Sequence, residues 1–295
     1  MRRATRPEET MIDDSPFAPL EARAAARRAS RASAVNRTQP TDLMSGLAVY
    51  DAISLAEMDA VALLSRTDTK FLLRVEQLTE ALPLLGQHYR VLEVAGSRLS
   101  PYQTLYFDTP DFALYRWHHA GGRNRYKVRS REYLQTRAAF FEVKHKVNRF
   151  QTIKERIPTR QLVTRLTPET DRFLRARLPE EAAQLQPKLW NLYGRITLVN
   201  RFFPERVTLD LDLRFDNSEV TQRLPGLVTA EVKQAGRPRP TAFIQLMRRL
   251  SIRAGGFSKY CIGVSLTYPH VKHNNFLAQL RTVASLTDGG DHVRH

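Results

Sequence analysis

Arg125-Tyr126-Lys127-Val128-Arg129-Ser130-Arg131 places a basic side chain at every second position. In an extended strand successive side chains point to opposite faces, so Arg125, Lys127, Arg129 and Arg131 line one face while Tyr126 and Val128 line the other. Same-face neighbours sit about 6.8 Å apart, where like charges repel by about 2.4 kcal/mol at an effective dielectric of about 20. A single solvated strand would screen that repulsion. The pattern recurs, however, as Arg66, Asp68 and Lys70, as Glu142, Lys144 and Lys146, as Lys154 and Arg156, as Asp210, Asp212 and Arg214, and as Glu231 and Lys233. Strand after strand with one charged and one apolar face predicts a sheet closed on itself around an anion. The expected class is α+β, a closed antiparallel β-barrel forming a tunnel with a charged interior, flanked by helices.

Composition agrees. Among 295 residues, 46 Lys and Arg stand against 30 Asp and Glu, a formal net charge of +16, which selects anionic partners: phosphate-rich small molecules, polyphosphate, nucleic acid or a membrane surface. Nucleic-acid binding calls for stacking aromatics interleaved with the cations on one outer surface. Here Tyr126 and Val128 fall on the opposite face, so no nucleic-acid partner is expected. The single Cys261 excludes an internal disulfide and suits a reducing, cytoplasmic location. Acids such as Asp51, Glu57 and Asp59 interrupt the best apolar run well short of the ~20 residues that span a bilayer, which predicts a soluble protein. No P-loop, Gly-x-Gly-x-x-Gly, His-Glu-x-x-His or cysteine cluster is present.

Residues 1–45 form an Ala- and Arg-rich stretch with almost no aromatics, punctuated by Pro7, Pro16, Pro19 and Pro40. It reads as a disordered tail; alternatively, translation begins at Met44. Ser54 with Glu57 is a capping box that opens a helix. A second helix is predicted over 76–85, a strand over 102–107, and a short helix from Thr109-Pro110 to Gly121-Gly122. Asp108 before it reads as a capping residue. Thr167-Pro168 starts a helical stretch running to about Leu189, divided by Pro179. Strands follow near 196–203, 206–215 and 227–234. A helix starts at Pro240-Thr241, and a last strand runs from Phe257 through Leu266. Residues 271–295 read as a C-terminal tail.

Arg66-Thr67-Asp68-Thr69-Lys70-Phe71, Leu105-Tyr106-Phe107-Asp108-Thr109-Pro110, the basic strand, Phe141-Glu142-Val143-Lys144, Lys154-Glu155-Arg156, Asn200-Arg201-Phe202-Phe203, Thr208-Leu209-Asp210-Leu211-Asp212 and Phe257-Ser258-Lys259-Tyr260 occur in that order. Together they resemble the VTC domain, the polyphosphate polymerase domain of the vacuolar transporter chaperone complex. That domain belongs to the CYTH-like, or triphosphate tunnel metalloenzyme, superfamily. The resemblance runs from about Leu47 to Tyr268 and implies a domain over 46–270.

It implies a metal-dependent phosphotransferase that binds ATP and polyphosphate and extends the chain from the ATP γ-phosphate, with Mn²⁺ or Mg²⁺ as cofactor and a separate membrane protein as a further partner. It assigns Lys70, Arg129, Arg131 and Lys144 as catalytic residues. Lys127, Arg125, Lys154, Arg201, Arg206, Ser258 and Lys259 are implied phosphate ligands, and Glu231 the metal ligand, with Asp210 and Asp212 as further candidates. Two alternatives use the same fold: a triphosphatase, in which water replaces the acceptor, and a non-catalytic sensor of polyphosphate or inositol pyrophosphate. The sequence departs from the family pattern at Gly256, where a Lys is usual, and at Val199, where a Tyr is usual. Arg66-x-Asp68-x-Lys70 replaces the superfamily's Glu-x-Glu-x-Lys.

Residues before about Pro40 carry too little periodic apolar surface to offset the entropy of ordering them. Deleting them is expected to leave the melting temperature and the affinity for tripolyphosphate unchanged. A large loss of either in thermal denaturation or calorimetry would show that the segment docks.

Overall fold

The computed structural model describes residues 41–60, 66–148, 151–180 and 184–287; the N-terminal stretch before Thr41 lies outside them. Helices α1 (Thr41–Leu47) and α2 (Leu55–Ala60) flank the short strand β1 (Ala52–Ile53). Ser54 and Glu57 form the expected capping box: the Ser54 amide donates to the Glu57 carboxylate (2.9 Å) and the Glu57 amide to Ser54 Oγ (3.3 Å). Strand β2 (Arg66–Arg74) leads into α3 (Val75–Ala81), which tightens into a 3-10 turn at Leu82–Leu85.

The remaining strands are β3 (Tyr89–Leu92), β4 (Ser100–Asp108), β5 (Arg125–Tyr133), β6 (Ala139–Lys146), β7 (Thr152–Thr159), β8 (Gln186–Asn200), β9 (Glu205–Asp216), β10 (Thr221–Leu224) and β11 (Leu227–Ala235). They build one 11-stranded sheet whose main path is β2-β11-β9-β8-β4-β5-β6-β7. Every pairing along that path is antiparallel. The sheet curls: Lys70 on β2 and Lys127 on β5 donate to the consecutive residues Phe257 and Ser258 across the concave side.

It does not close. Strands β2 and β7 end the path without pairing to each other, so the architecture is an open half-barrel rather than the closed barrel that the charge alternation predicts. Strand β7 is exposed along most of its length and carries Lys154, Glu155, Arg156 and Pro158. Charges and proline on an edge strand discourage further pairing. The free edge of β2 is occupied instead by a bridge from Phe71 to Ala254 and by the Gly255 amide donating to the Lys70 carbonyl.

On the convex side, Ile196, Leu198, Val207, Leu209, Val228 and Val232 pack beneath α1, α3 and α6 (Ala242–Arg249). Further along, Leu105, Phe107, Val128, Phe141 and Val143 pack against Phe173 and Leu174 of α5 (Pro168–Arg175). Helix α5 begins at the expected Thr167-Pro168, but it ends at Arg175 and β8 begins at Gln186, so the stretch to Leu189 is not continuously helical. Leu185 joins the α5 cluster and Leu189 a different one on the other side of the sheet. Their spacing therefore belongs to two elements rather than to one helix face. Helix α4 (Ala113–His119) starts after Thr109-Pro110, and Asp108 caps it: its carboxylate accepts from the amides of Thr109, Leu114 and Tyr115 at 2.7, 2.8 and 2.9 Å.

The last predicted strand is a helix, α7 (Lys259–Thr267), capped by Ser258 Oγ accepting from the Cys261 amide at 3.2 Å. Tyr260, Cys261, Ile262, Gly263, Val264, Ser265 and Thr267 are all buried. A short helix enclosed on every side shows no amphipathic period, so its sequence reads like a buried strand. It lies in the hollow of the sheet against Tyr106, Leu189, Tyr193 and Phe215. Residues read from sequence as a C-terminal tail contribute α8 (Leu277–Leu286), which buries Leu280 and Val283 in the same cluster. No helix among the described residues is long and apolar enough to cross a membrane.

Helix α7 reaches the sheet only because Gly263 has no side chain. A Cβ there would lie 2.5 Å from Leu189 Cδ2 and 2.6 Å from Phe215 Cδ1. Gly263→Ala is expected to destabilise the protein by about 1–3 kcal/mol, the usual cost of overpacking, measured by urea denaturation. An unchanged midpoint would mean that α7 is not seated this tightly.

Candidate functional site: a cationic cup

Register decides which side chains share the hollow. Arg129 pairs with Tyr106 on one side and Glu142 on the other, and Glu142 pairs with Arg156. One step along, Lys127, Lys144 and Lys154 stand side by side across β5, β6 and β7. On the other wing, Lys70 pairs with Glu231 and Glu231 with Thr208, while Arg195 pairs with Asp210 and Asp210 with Thr229. These positions form one concave face, and α7 brings Lys259 to its floor.

Three carboxylates hold the cup together, each between two cations. Glu142, almost fully buried, accepts from Arg129 Nε at 2.6 Å and forms an ion pair with Lys154 Nζ, also at 2.6 Å, and so links β5, β6 and β7. Asp210 takes a two-pronged contact from Arg195 at 2.5 and 2.8 Å and a third from Lys259 Nζ at 2.5 Å, joining β8, β9 and α7. Glu231 contacts Lys233 and lies 3.7 Å from Lys70 Nζ, on neighbouring strands. Lys127 Nζ donates to Ser258 Oγ at 2.8 Å, Lys70 Nζ to the Phe257 carbonyl at 2.9 Å, and Arg131 Nε to Thr104 Oγ1 at 3.2 Å. Lys144, partly open to water on the same face, has no side-chain hydrogen bond among the described residues.

The sequence-predicted residues divide accordingly. Lys70, Lys127, Arg129, Arg131, Lys144, Lys154, Lys259 and Glu231 come together, with Ser258 capping α7 beside them. Arg125, opposite Lys146, lies at the end of the same row. Arg206 shares the face through its pairing with Lys233 and donates to the Met58 carbonyl at 3.1 Å. Arg201 sits in the β8–β9 turn, where it pairs with Asp51 at 2.5 Å rather than with the cup's ion pairs. Asp212 occupies a β-bulge with a left-handed backbone (φ 52°), apart from the Arg195–Asp210–Lys259 cluster.

Two cup residues stand outside that predicted set. Arg195 is the one charge in the otherwise uncharged, mostly apolar run Leu192–Leu198, and a lone cation in such a run is the signal that marks it. Lys233 is legible only as the partner of Glu231 two residues before it. An aromatic layer supports the arginines: Tyr102 and Tyr193 stack at 5.2 Å, and the Arg195 guanidinium lies 4.9 and 5.3 Å from their ring centres. Tyr193 is fully buried.

The family model described as VTC domain matches residues 65–268. This chain belongs to the VTC domain family. A search of curated proteins finds no match. Solved structures similar to it include a candidate adenylate cyclase from Vibrio parahaemolyticus (14% identity, TM-score 0.39, covering 68% of this chain and 98% of that one). Another is a candidate adenylyl cyclase from Hippeastrum with a dominant triphosphatase activity (12%, 0.38, covering 68% and 96%). A conserved hypothetical protein from Pyrococcus furiosus shows 10% identity and a TM-score of 0.36, covering 63% of this chain and 89% of that one.

The electrostatics of this VTC domain follow from crowding. Desolvation inside the cup, reinforced by Lys70 and Arg129 nearby, brings Lys127 and Lys144 down to about 8. Desolvation also brings Lys154 to about 8, against the pull of Glu142. Burial opposes the charged forms of Asp210 and Glu142, but Arg195 and Lys259 on the one, and Arg129, Arg131 and Lys154 on the other, hold both well below the usual carboxylate range. Glu231 is lowered in the same way by Lys233 and Lys70. Burial without a cation pushes Asp212 up to about 6.

Among the described residues no group of three His, Cys, Asp or Glu could hold a metal ion. His118 contacts the Tyr126 carbonyl and His273 the Val271 carbonyl. Asp210 is committed to three cationic contacts. Glu231 fits as one carboxylate for Mg²⁺ or Mn²⁺, ions that commonly take one or two protein carboxylates and complete their shell with phosphate oxygens and water.

Between about pH 8 and the ordinary lysine value near 10.4, the ligand-free folded protein binds fewer protons at these lysines than the unfolded chain does. Their contribution therefore opposes folding most strongly below pH 8, and that opposition fades as pH rises through this window. A bound polyanion favours the charged forms and draws protons back. Tripolyphosphate is expected to raise the melting temperature more at pH 7 than at pH 9.5, with proton uptake near pH 8.5 in calorimetry across buffers of different ionisation heat. Equal shifts at both pH values, without proton uptake, would place the anion elsewhere.

Proposed function

We propose that this VTC domain is a metal-dependent polyphosphate polymerase that takes its phosphoryl group from ATP. The observation that supports it most is the side-by-side row Lys127, Lys144, Lys154 next to Arg129 and Arg131 on one concave face, where the carboxylates neutralise only part of the positive charge. Such a surface is unfavourable until phosphates occupy it. Phosphoryl transfer asks little covalent chemistry of a protein; it needs the reacting phosphates held in line and their charge neutralised.

In this reading a terminal oxygen of polyphosphate attacks the γ-phosphorus of ATP, the bond from that phosphorus to the β–γ bridging oxygen breaks, and ADP leaves. Arg129 and Arg131 grip phosphate oxygens with two-pronged geometry, and Lys70 and Lys144 offer compact charges to the transferring group. Lys127, Lys154, Lys259, Arg125 and Arg206 extend the track, and Ser258 adds a hydroxyl. Arg201 would join by exchanging Asp51 for phosphate. Glu231 would hold a divalent cation, which would supply further charge neutralisation. The acceptor tells this reading apart from a triphosphatase, in which water attacks in the same cup. The departures bear on rate: Val199 contributes to a small apolar cluster with Ile53, Met58 and Leu92. A side chain at Gly256 would find room, since its Cβ would lie 4.0 Å from Gln279 Nε2.

The test is to incubate the purified protein with ATP and Mn²⁺ and to separate polyphosphate, free phosphate and ADP. Polymer and ADP are expected. Phosphate with ADP and no polymer would make the protein a triphosphatase; tight polyphosphate binding with no ADP would make it a sensor. Arg129→Ala or Arg131→Ala should weaken triphosphate binding roughly 10- to 150-fold, from a charge-assisted contact of about 1.5–3 kcal/mol. Glu231→Gln should keep metal-free phosphate binding and lose metal-dependent product. Wild-type activity in Glu231→Gln would overturn the metal assignment.

A further inference from the structure

Three loops meet at the end of the molecule where β8 turns into β9, and they expose apolar side chains together. Phe202 and Phe203 project from the turn, 67% and 45% exposed. The Phe202 and His88 rings meet in a T-shaped contact with centres 6.4 Å apart, and the Phe203 ring lies 5.8 Å from the Arg239 guanidinium. The turn is firmly placed: the Arg201 amide donates to the His88 carbonyl (3.0 Å) and the Ala235 amide to the Pro204 carbonyl (3.1 Å). Beneath it, buried Glu205 accepts from Tyr89, Asn200, Gln234 and Thr241 at 2.5–3.1 Å. On the His88 side, Leu84 (66% exposed) stands out beside Gly86, against which Val49 (61%) packs. Arg237 and Arg239 are exposed on the 236–240 loop. The nearby acids are committed, Asp51 to Arg201 and Glu205 to its buried network.

A fixed, protruding pair of phenylalanines is not a receptacle for a ligand; it is shaped to enter something. Clustered exposed apolar side chains mark an interaction surface. Aromatic and aliphatic tips flanked by arginines match the boundary of a bilayer, where rings reach the acyl region and cations meet headgroup phosphates. The chain's net charge of +16 favours the anionic case. We propose that this tip docks on an anionic lipid surface, with Phe202 and Phe203 inserted and Arg237 and Arg239 against lipid phosphates. The docked tip would set the end of the cup that carries Arg206 and Lys233 beside the bilayer. The proposal stands independently of the chemistry in the cup.

The test is flotation of the full chain with vesicles of phosphatidylcholine alone and of phosphatidylcholine mixed with phosphatidylglycerol, with excess tripolyphosphate present to block the cup. Wild type is expected to float with the anionic vesicles only. The F202S/F203S variant should bind at least about tenfold more weakly, while keeping its melting temperature, because both rings are largely in water. R237E/R239E should lose binding at low salt. Equal binding by F202S/F203S and wild type, or loss of wild-type binding on adding tripolyphosphate, would overturn the proposal. So would absence of vesicle binding together with a phenylalanine-dependent dimer in sedimentation, which would make the tip a contact between copies.

Discussion

Everything in this structure answers to the repulsion among cations that β-pairing forces into one hollow. Lys127, Lys144 and Lys154 cannot avoid one another, because antiparallel register places them in adjacent strands on the same face. Three carboxylates make this tolerable, each bridging two cations on different segments of chain. Glu142 ties β5 to β7, Asp210 ties β8 to α7, and Glu231 ties its own strand to β2. Removing one partner of a buried pair leaves the other charge uncompensated, which costs more than the pair contributes. The same carboxylates therefore stabilise the empty cup and limit how much positive charge remains for an anion.

Helix α7 is the second constraint. It fills one end of the hollow with Tyr260, Ile262 and Val264, and it is pinned by the Tyr260 hydroxyl donating to Asp108, the residue that also caps α4. Its N-terminal segment supplies the Phe257 carbonyl to Lys70 and the Ser258 hydroxyl to Lys127. Strands β2 and β5, which do not pair with each other, are thus joined through one short segment. An open half-barrel can hold its curl this way while leaving β7 an exposed, charged edge.

Family membership and electrostatics reinforce each other here. The VTC domain match covers the strands that build the cup, and the lysines brought down to about 8 are those that register sets side by side across β5, β6 and β7. Strongly shifted groups gathered in one concavity are a physical marker of a functional site. Asp212, also shifted, stands apart at a bulge without a cationic partner, which separates it from the carboxylates that organise the cup.

Sequence by itself determined the faces of the strands. Period-two alternation in β5, β6 and β11 assigns Arg129, Lys144 and Glu231 to one side, because a strand has only two sides and the apolar residues claim the other. Local chemistry likewise fixed the capping box at Ser54 and the caps at Asp108 and Thr167. Tertiary structure decided what no local pattern encodes. It set α7 as a helix, since enclosure on every side erases the period that would reveal it, and it ended the sheet at β7 rather than closing it. It brought Arg195, a lone cation in a mostly apolar run, onto Asp210, and it turned Arg201 to Asp51. Those outcomes depend on which residues meet across 15 to 150 positions of chain, and such meetings are fixed by packing and charge in three dimensions rather than by neighbours in sequence.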